Sequence, residues 1–253
     1  NNHELKSDDI LVAIPDLDKY APFIRAVFDV SNETDANTRR IPYVINGSLA
    51  AAESPLINGV LEILEIPEWR FTREQLMVLG RNRLIQKRFD FTDETLDQID
   101  SWLDEAGVRW GIDAAHKQEL GLPGSDKNTW RAGLDRLLLG AVLPKRVNAE
   151  LPLFHDVLPV DEMEGGLTLL LSRFVNFCEN LFDWRERLKQ AYTLQEWQIQ
   201  LQNLLEDFFV IDELEETNHL QLLELLDQLK QQTLQAKFES PITVQALAVL
   251  LND

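Results

Sequence analysis

Phe71-Thr72-Arg73-Glu74-Gln75-Leu76 decides the class of fold. A threonine at a helix start accepts a hydrogen bond from the N–H three residues on, and Gln75 can return one to the threonine's own N–H. Phe71 before it and Leu76 four residues after it close a hydrophobic staple. The arrangement recurs at Phe91-Thr92 with Leu96, and at Tyr192-Thr193 with Glu196 and Trp197. Thr72, Thr92 and Thr193 are therefore expected N-caps. Behind Thr92, Leu96, Ile99, Leu103 and Ala106 share a helical face that stops at Gly107, as a left-handed C-cap would stop it. After Gly166, the residues Leu167, Leu170, Leu171, Phe174, Cys178, Leu181 and Phe182 form one long stripe. Trp197, Leu201, Leu204, Leu205 and Phe208 repeat that geometry. Residues 67–253 thus read as a helical body.

Upstream the pattern changes. Ile10-Leu11-Val12-Ala13-Ile14 is a short apolar run suited to a buried, parallel strand. Pro15 to Asp18 ends it, and residues 20–28 place Ile24, Val27 and Phe28 on one helical face. Residues 31–40 read as a surface loop. Ile41-Pro42-Tyr43-Val44-Ile45 reads as a second strand, with Pro42 favouring an edge or a strand start. Asn46-Gly47 is a turn, and a helix is expected from Pro55 to Leu64. Residues 1–66 therefore read as β-α-β-α, so the fold expected is mainly α with a small α/β part. Pro152, Pro159 and Gly165-Gly166 mark the clearest joint inside the body.

Charge narrows the function. In 253 residues there are 24 Lys and Arg against 43 Asp and Glu, a net charge of −19. Phosphate binding rests on clustered cations, so a surface that grips nucleic acid all over is excluded and any such contact is local. One cysteine excludes an internal disulfide framework. No 18-residue apolar run and no signal sequence is present, which points to a cytoplasmic chain without a membrane span. The first residue is Asn, which suggests a piece of a longer protein.

Catalytic chemistry has no visible home. The phosphate cradle Gly-x-x-x-x-Gly-Lys-Ser/Thr is missing from this sequence. Asp16, Asp18 and Lys19 sit within one turn, whereas a two-metal nuclease draws carboxylates from separate elements. His3, His116, His155 and His219 are scattered, with no second His or Cys at ligand spacing, so no metal site is expected. Cys178 lies on an apolar stripe and reads as a small buried hydrophobe. Glu206, Asp207, Asp212, Glu213, Glu215, Glu216, Glu224 and Asp227 read as a solvated acidic face.

Two stretches carry more information. Arg81, Arg83, Lys87 and Arg88 form the strongest basic island, with no acid between them. Phosphate contact is one reading, and cations near the negative pole of an exposed helix end is the other. Arg109-Trp110 with Asp113 is answered by Trp130-Arg131 with Asp135-Arg136. These residues can lock two loops together through Arg–indole stacking and Arg–carboxylate pairs, or offer aromatic and Arg surfaces to single-stranded bases.

Several blocks of this sequence also resemble a known family. Ile10-Leu11-Val12-Ala13-Ile14-Pro15-Asp16-Leu17-Asp18 with the following Tyr20 to Phe28, then Arg40-Ile41-Pro42-Tyr43 and Arg70-Phe71-Thr72, resemble the RecC family. So do the long blocks from Val108 to His116 and from Asn128 to Gly140. RecC proteins are the gamma subunits of exodeoxyribonuclease V, the RecBCD helicase–nuclease, and are similar to superfamily 1 helicases such as UvrD and Rep without a working ATP site. The resemblance implies that residues 1–66 begin a second RecA-like domain and that residues 67–253 are a helical 2B-type insertion. Asp16-Leu17-Asp18 departs from the motif IV pattern of active helicases, and no residue that reads the Chi sequence maps to a matched position. Also implied are a non-catalytic scaffold and DNA-strand guide in double-strand-break repair, and RecB-like and RecD-like helicase subunits as partners. DNA, single-stranded or forked, would be the ligand, with ATP and magnesium held by those partner subunits. The alternative is a protein-interaction module whose acidic helical face docks a basic partner without touching DNA.

Overall fold

In the computed structural model the residues described are 54–142, 167–236 and 240–252, with single positions at 12, 20, 23, 24, 27 and 28. Their order is α1 (Pro55–Leu64), a 3-10 turn (Ile66–Glu68), α2 (Arg73–Gly80), α3 (Arg83–Phe89), α4 (Asp93–Glu105) and α5 (Ala114–Glu119). There follow α6 (Trp130–Val142), α7 (Leu167–Leu188), α8 (Leu194–Phe208), α9 (Glu216–Ala236) and α10 (Val244–Asn252). Among the described residues the only β features are two isolated antiparallel bridges, Thr72 with Trp110 and Tyr192 with Ile242. The described chain is mainly helical.

Local chemistry starts these helices. Thr72 Oγ1 accepts from Gln75 N at 3.2 Å while Gln75 Oε1 accepts from Thr72 N at 2.9 Å. Thr193 and Glu196 close the same reciprocal pair ahead of α8. Ahead of α4 the return bond comes from Thr95, whose hydroxyl accepts from Thr92 N. Ser54 caps α1, where Pro55 stands at the first helical position and forgoes no bond. Gly107, at φ +75°, follows the end of α4 as expected.

The expected stripes are buried. α7 turns Leu170, Leu171, Phe174, Cys178, Leu181 and Phe182 inward and packs on the 3-10 turn, α3, α4 and α6. Phe89, Phe91 and Phe177 meet beneath it with ring centres 5.2 to 5.9 Å apart, the Phe177 ring edge-on to both others. Each such buried side chain contributes about 1.5–3 kcal/mol through removal from water. α8 carries Trp197, Leu201, Leu204 and Phe208 into the same core. α1 packs on α3, α9 and α10, so its apolar face belongs to one continuous core with the helices after it.

Most of the expected β-α-β-α start, including the second strand, and the joint at residues 152–166 lie outside the described residues. Within that start, Val12 is exposed, not buried as the first strand would require. Positions 20, 23, 24, 27 and 28 are helical, and Ile24 is the half-buried one. No helix of the described residues is long and apolar enough to cross a membrane.

Candidate functional site

The two Trp-Arg loops are held together by their backbones. Arg109 N and Trp110 N donate to the Asn128 carbonyl at 3.0 and 3.3 Å, Trp130 N to the Gly111 carbonyl and Arg131 N to the Ile112 carbonyl, both at 2.9 Å. Asn128 Nδ2 donates to the Gly107 carbonyl at 2.9 Å. Close approach of the two strands of chain needs left-handed backbone at Gly107, Gly111 and Asn128. Phe71 shares that conformation at φ +54°, unfavourable for a residue with a side chain. Two bonds hold it there, because its carbonyl accepts Trp130 Nε1 at 2.8 Å and Gly111 N at 3.1 Å. Trp130 is fully buried with its N–H satisfied inside, so it offers no face to a base.

The arginines of the loops find other partners than those expected. Arg109 pairs with Asp104 at 2.5 Å. Arg131 pairs with Glu179 on α7 and lies 5.0 Å over the Phe182 ring, and Arg136 donates to the Ala106 carbonyl at 2.7 Å. Asp113 caps α5 by accepting from His116 N at 2.8 Å, and Asp135 is exposed on α6. The cause is the fold of the segment. A carboxylate just before a helix is drawn to free N–H groups, while α6 aims its arginines at α7 and at the end of α4. Trp110, half-buried, takes cations that spacing did not indicate: Arg70 Cζ at 4.9 Å and Lys117 Nζ at 4.7 Å from the ring centre. Neither Arg70 nor Lys117 stands out in the sequence, because both meet Trp110 only through the bridge between residues 72 and 110 and the turn into α5.

Three cations of the basic island meet carboxylates, from α4 and from the α8–α9 link, and the fourth meets a backbone carbonyl. Arg81 pairs with Asp97 at 2.6 Å and Asp93 at 3.4 Å. Arg83 reaches Asp212 and, at 2.7 Å, Glu215, while Lys87 Nζ lies 2.6 Å from Asp212. Arg88 Nε donates to the Glu206 carbonyl at 3.0 Å. Glu215, 4% exposed, also accepts from Ser54 Oγ at 2.6 Å and Asn218 Nδ2 at 3.0 Å. Asn82 Nδ2 donates to the Pro55 carbonyl and Val210 N to the Leu84 carbonyl. The network thus ties the start of α1, the start of α3 and the α8–α9 link. Hydrogen bonds from Lys87 lead the causes that hold the Asp212 carboxyl below its ordinary pKa. Two members of the expected solvated acidic face, Asp212 and Glu215, are therefore partners of the basic island.

A second cluster joins α5 to α7. His116 is 2% exposed, and its Nδ1 accepts from Ile112 N at 3.2 Å, which leaves the proton on Nε2. Burial first, and the Arg185 charge second, push its pKa below the ordinary value. Arg185 pairs with Glu119 and Glu186, each at 2.7 Å, and Lys189 joins both carboxylates. The Arg185 and Lys189 hydrogen bonds bring Glu119 down to about 2. Cys178 is buried and its thiol is pushed up by desolvation. Among the described residues no group of three or more His, Cys, Asp or Glu is placed to hold a metal ion. His3, His155, Asp16, Asp18 and Lys19 lie outside the described residues.

Comparison with known proteins adds a family. Residues 53–253 match the family model described as RecBCD enzyme subunit RecC fourth domain. RecBCD enzyme subunit RecC of Escherichia coli strain K12 is 35% identical over 204 residues, which cover 81% of this chain and 18% of the relative. The protein of the same name from Mycobacterium tuberculosis strain H37Rv is 33% identical over 195 residues, covering 76% and 18%. That of Haemophilus influenzae is 28% identical over 209 residues, covering 83% and 18%. The chain spans less than a fifth of the length of these relatives.

Proposed function

The chain belongs to the RecC family, and on that premise we propose that it is a non-catalytic scaffold of a RecBCD enzyme, also guiding DNA strands in double-strand-break repair. One observation carries the scaffold part: the basic island and the acidic stretch close on each other, so Arg83, Lys87, Asp212 and Glu215 hold helices together. Burial of Glu215 with three donors makes that closure specific in geometry. The partners in this reading are helicase subunits of the RecB and RecD kinds, which hold ATP and magnesium in a cytoplasmic complex. The ligand is DNA with a single-stranded or forked end.

A second reading gives phosphate contact to the island itself. It is favoured by the exposure of Arg81 and Lys87, whose side chains keep 41% and 49% of their surface. Exposed ion pairs of this sort are worth about 0–1 kcal/mol and exchange for phosphate at little cost.

The test is made on the intact subunit assembled with its partners, with Arg83→Ala and Lys87→Ala. The scaffold reading expects a lower melting temperature and an unchanged salt dependence of forked-DNA binding. A reduced salt slope with an unchanged melting curve would instead assign phosphates to the island. ATP hydrolysis stimulated by DNA in this chain alone would overturn the non-catalytic assignment.

A further inference from the structure

Arg70 differs from the four cations of the island. Its side chain is exposed, and among the described residues its guanidinium donates to no carboxylate or carbonyl. What holds it is the Trp110 ring, 4.9 Å away, which carries Lys117 Nζ at 4.7 Å as well. Lys117 is buried and donates to the Lys127 carbonyl at 2.6 Å, which brings the exposed Lys127 to the same loop corner. The nearby acids are engaged with backbone: Asp113 accepts from His116 N and Asp126 from Ala114 N, both at 2.8 Å. Glu68 accepts from Gln245 at 3.1 Å. Under Trp110 the backbone is fixed by the Asn128 carbonyl and by the bridge to Thr72, so the indole is a rigid shelf.

Arg187 is the instructive comparison. It too rests on an indole, 5.0 Å from Trp184, with no hydrogen-bond acceptor among the described residues. Its surroundings are acidic, because Asp183 stands four residues earlier on α7 and Asp207 accepts the N–H of that same Trp184. The indole under Arg70 thus carries a second cation, Lys117, whereas the indole under Arg187 is bound by a carboxylate, Asp207.

We propose that Arg70, braced on Trp110 beside Lys117 and Lys127, contacts the phosphates of a nucleic-acid strand. The chemistry is that of a sequence-independent strand contact, in which a guanidinium steadied by an aromatic ring meets a phosphodiester without first breaking an ion pair. It rests on the reading of this chain as part of a DNA-processing subunit, and it places the strand at the loop pair and not at the island.

The test uses the intact subunit assembled with its helicase partners and a labelled fork with a single-stranded tail, followed by anisotropy over a salt series. Arg70→Gln is expected to weaken binding several-fold at low salt, evenly across tail sequences. The log–log salt slope should shrink by about 1. Arg187→Gln is the control and leaves both unchanged, and the melting curve of Arg70→Gln follows that of the parent because no hydrogen bond is lost. A parent-like slope in Arg70→Gln, or an equal loss in Arg187→Gln, overturns the assignment while the DNA-processing reading stands. A parent complex that does not bind the fork overturns both.

Discussion

Glu215→Ala removes the acceptor on which the start of α1, the start of α3 and the α8–α9 link converge. Three donors lose their partner: Ser54 Oγ at 2.6 Å, Arg83 Nη2 at 2.7 Å and Asn218 Nδ2 at 3.0 Å. All three bonds go to one carboxylate, a class worth about 1.5–3 kcal/mol net each, but they share that acceptor, and its desolvation cost disappears with it, so the losses do not add. Arg83 keeps Asp212 and has a side chain 34% exposed, so water and that carboxylate compensate part of its loss. The expected destabilisation of this junction is about 2–3 kcal/mol. At 1.4 kcal/mol per tenfold, opening becomes roughly 30- to 140-fold more frequent. Hydrogen exchange in the intact subunit reads this directly, in peptides covering the first turn of α1 and residues 209–215, while peptides from α6 serve as internal reference. Arg83→Ala in the Glu215→Ala background should cost less than in the parent, with a coupling of about 0.5–3 kcal/mol. Unchanged exchange at both segments, or strictly additive effects of the two substitutions, would refute the network as a structural clasp.

Four further outcomes follow from groups on α5, α6 and α7. His116 has its pKa lowered by burial, so below its ordinary 6.5 the unfolded chain binds the proton more readily than the fold. Stability should therefore fall as pH drops below that value, and His116→Gln should flatten this limb in pH-dependent melting. Glu119 works at lower pH: with its pKa brought from 4.5 to about 2, its contribution is complete above 4.5 and lost between 4.5 and 2, a loss that Glu119→Gln removes. Gly133→Ala drives a Cβ into Val108 Cγ2, a stiff β-branched side chain in the core, and should destabilise by about 1–3 kcal/mol in chemical denaturation. Cys178, buried with its thiol pushed up, should resist maleimide in the native subunit and react once denaturant opens the core. Rapid native labelling would contradict the packing of α7.

Helix starts and stripes were legible in the sequence because their causes are local. An N-cap, its return bond and its staple lie within five residues of one another, so Thr72, Thr92 and Thr193 announce α2, α4 and α8 without reference to the rest of the chain. The apolar stripe of α7 follows from helical period in the same way. Asp113 shows how local reading also misleads. Its closeness to Arg109 in sequence suggested an ion pair, but its place just before α5 makes it a cap.

Charge pairing was decided by tertiary structure. Arg83 meets Asp212 and Glu215 across separations of 129 and 132 residues, so partners of the island that the sequence does not indicate appear only in the fold. Arg70, inconspicuous in sequence, gains the Trp110 shelf because the residue 72–110 bridge carries it there, and among the described residues its guanidinium meets no acceptor. The sequence by itself determined the caps at Thr72, Thr92 and Thr193, the apolar stripes of α4, α7 and α8, and the family, since these depend on neighbours within a few residues or on long matched blocks. Which cations meet carboxylates far along the chain depended on packing that brings distant side chains within ion-pair range, and no local spacing encodes that.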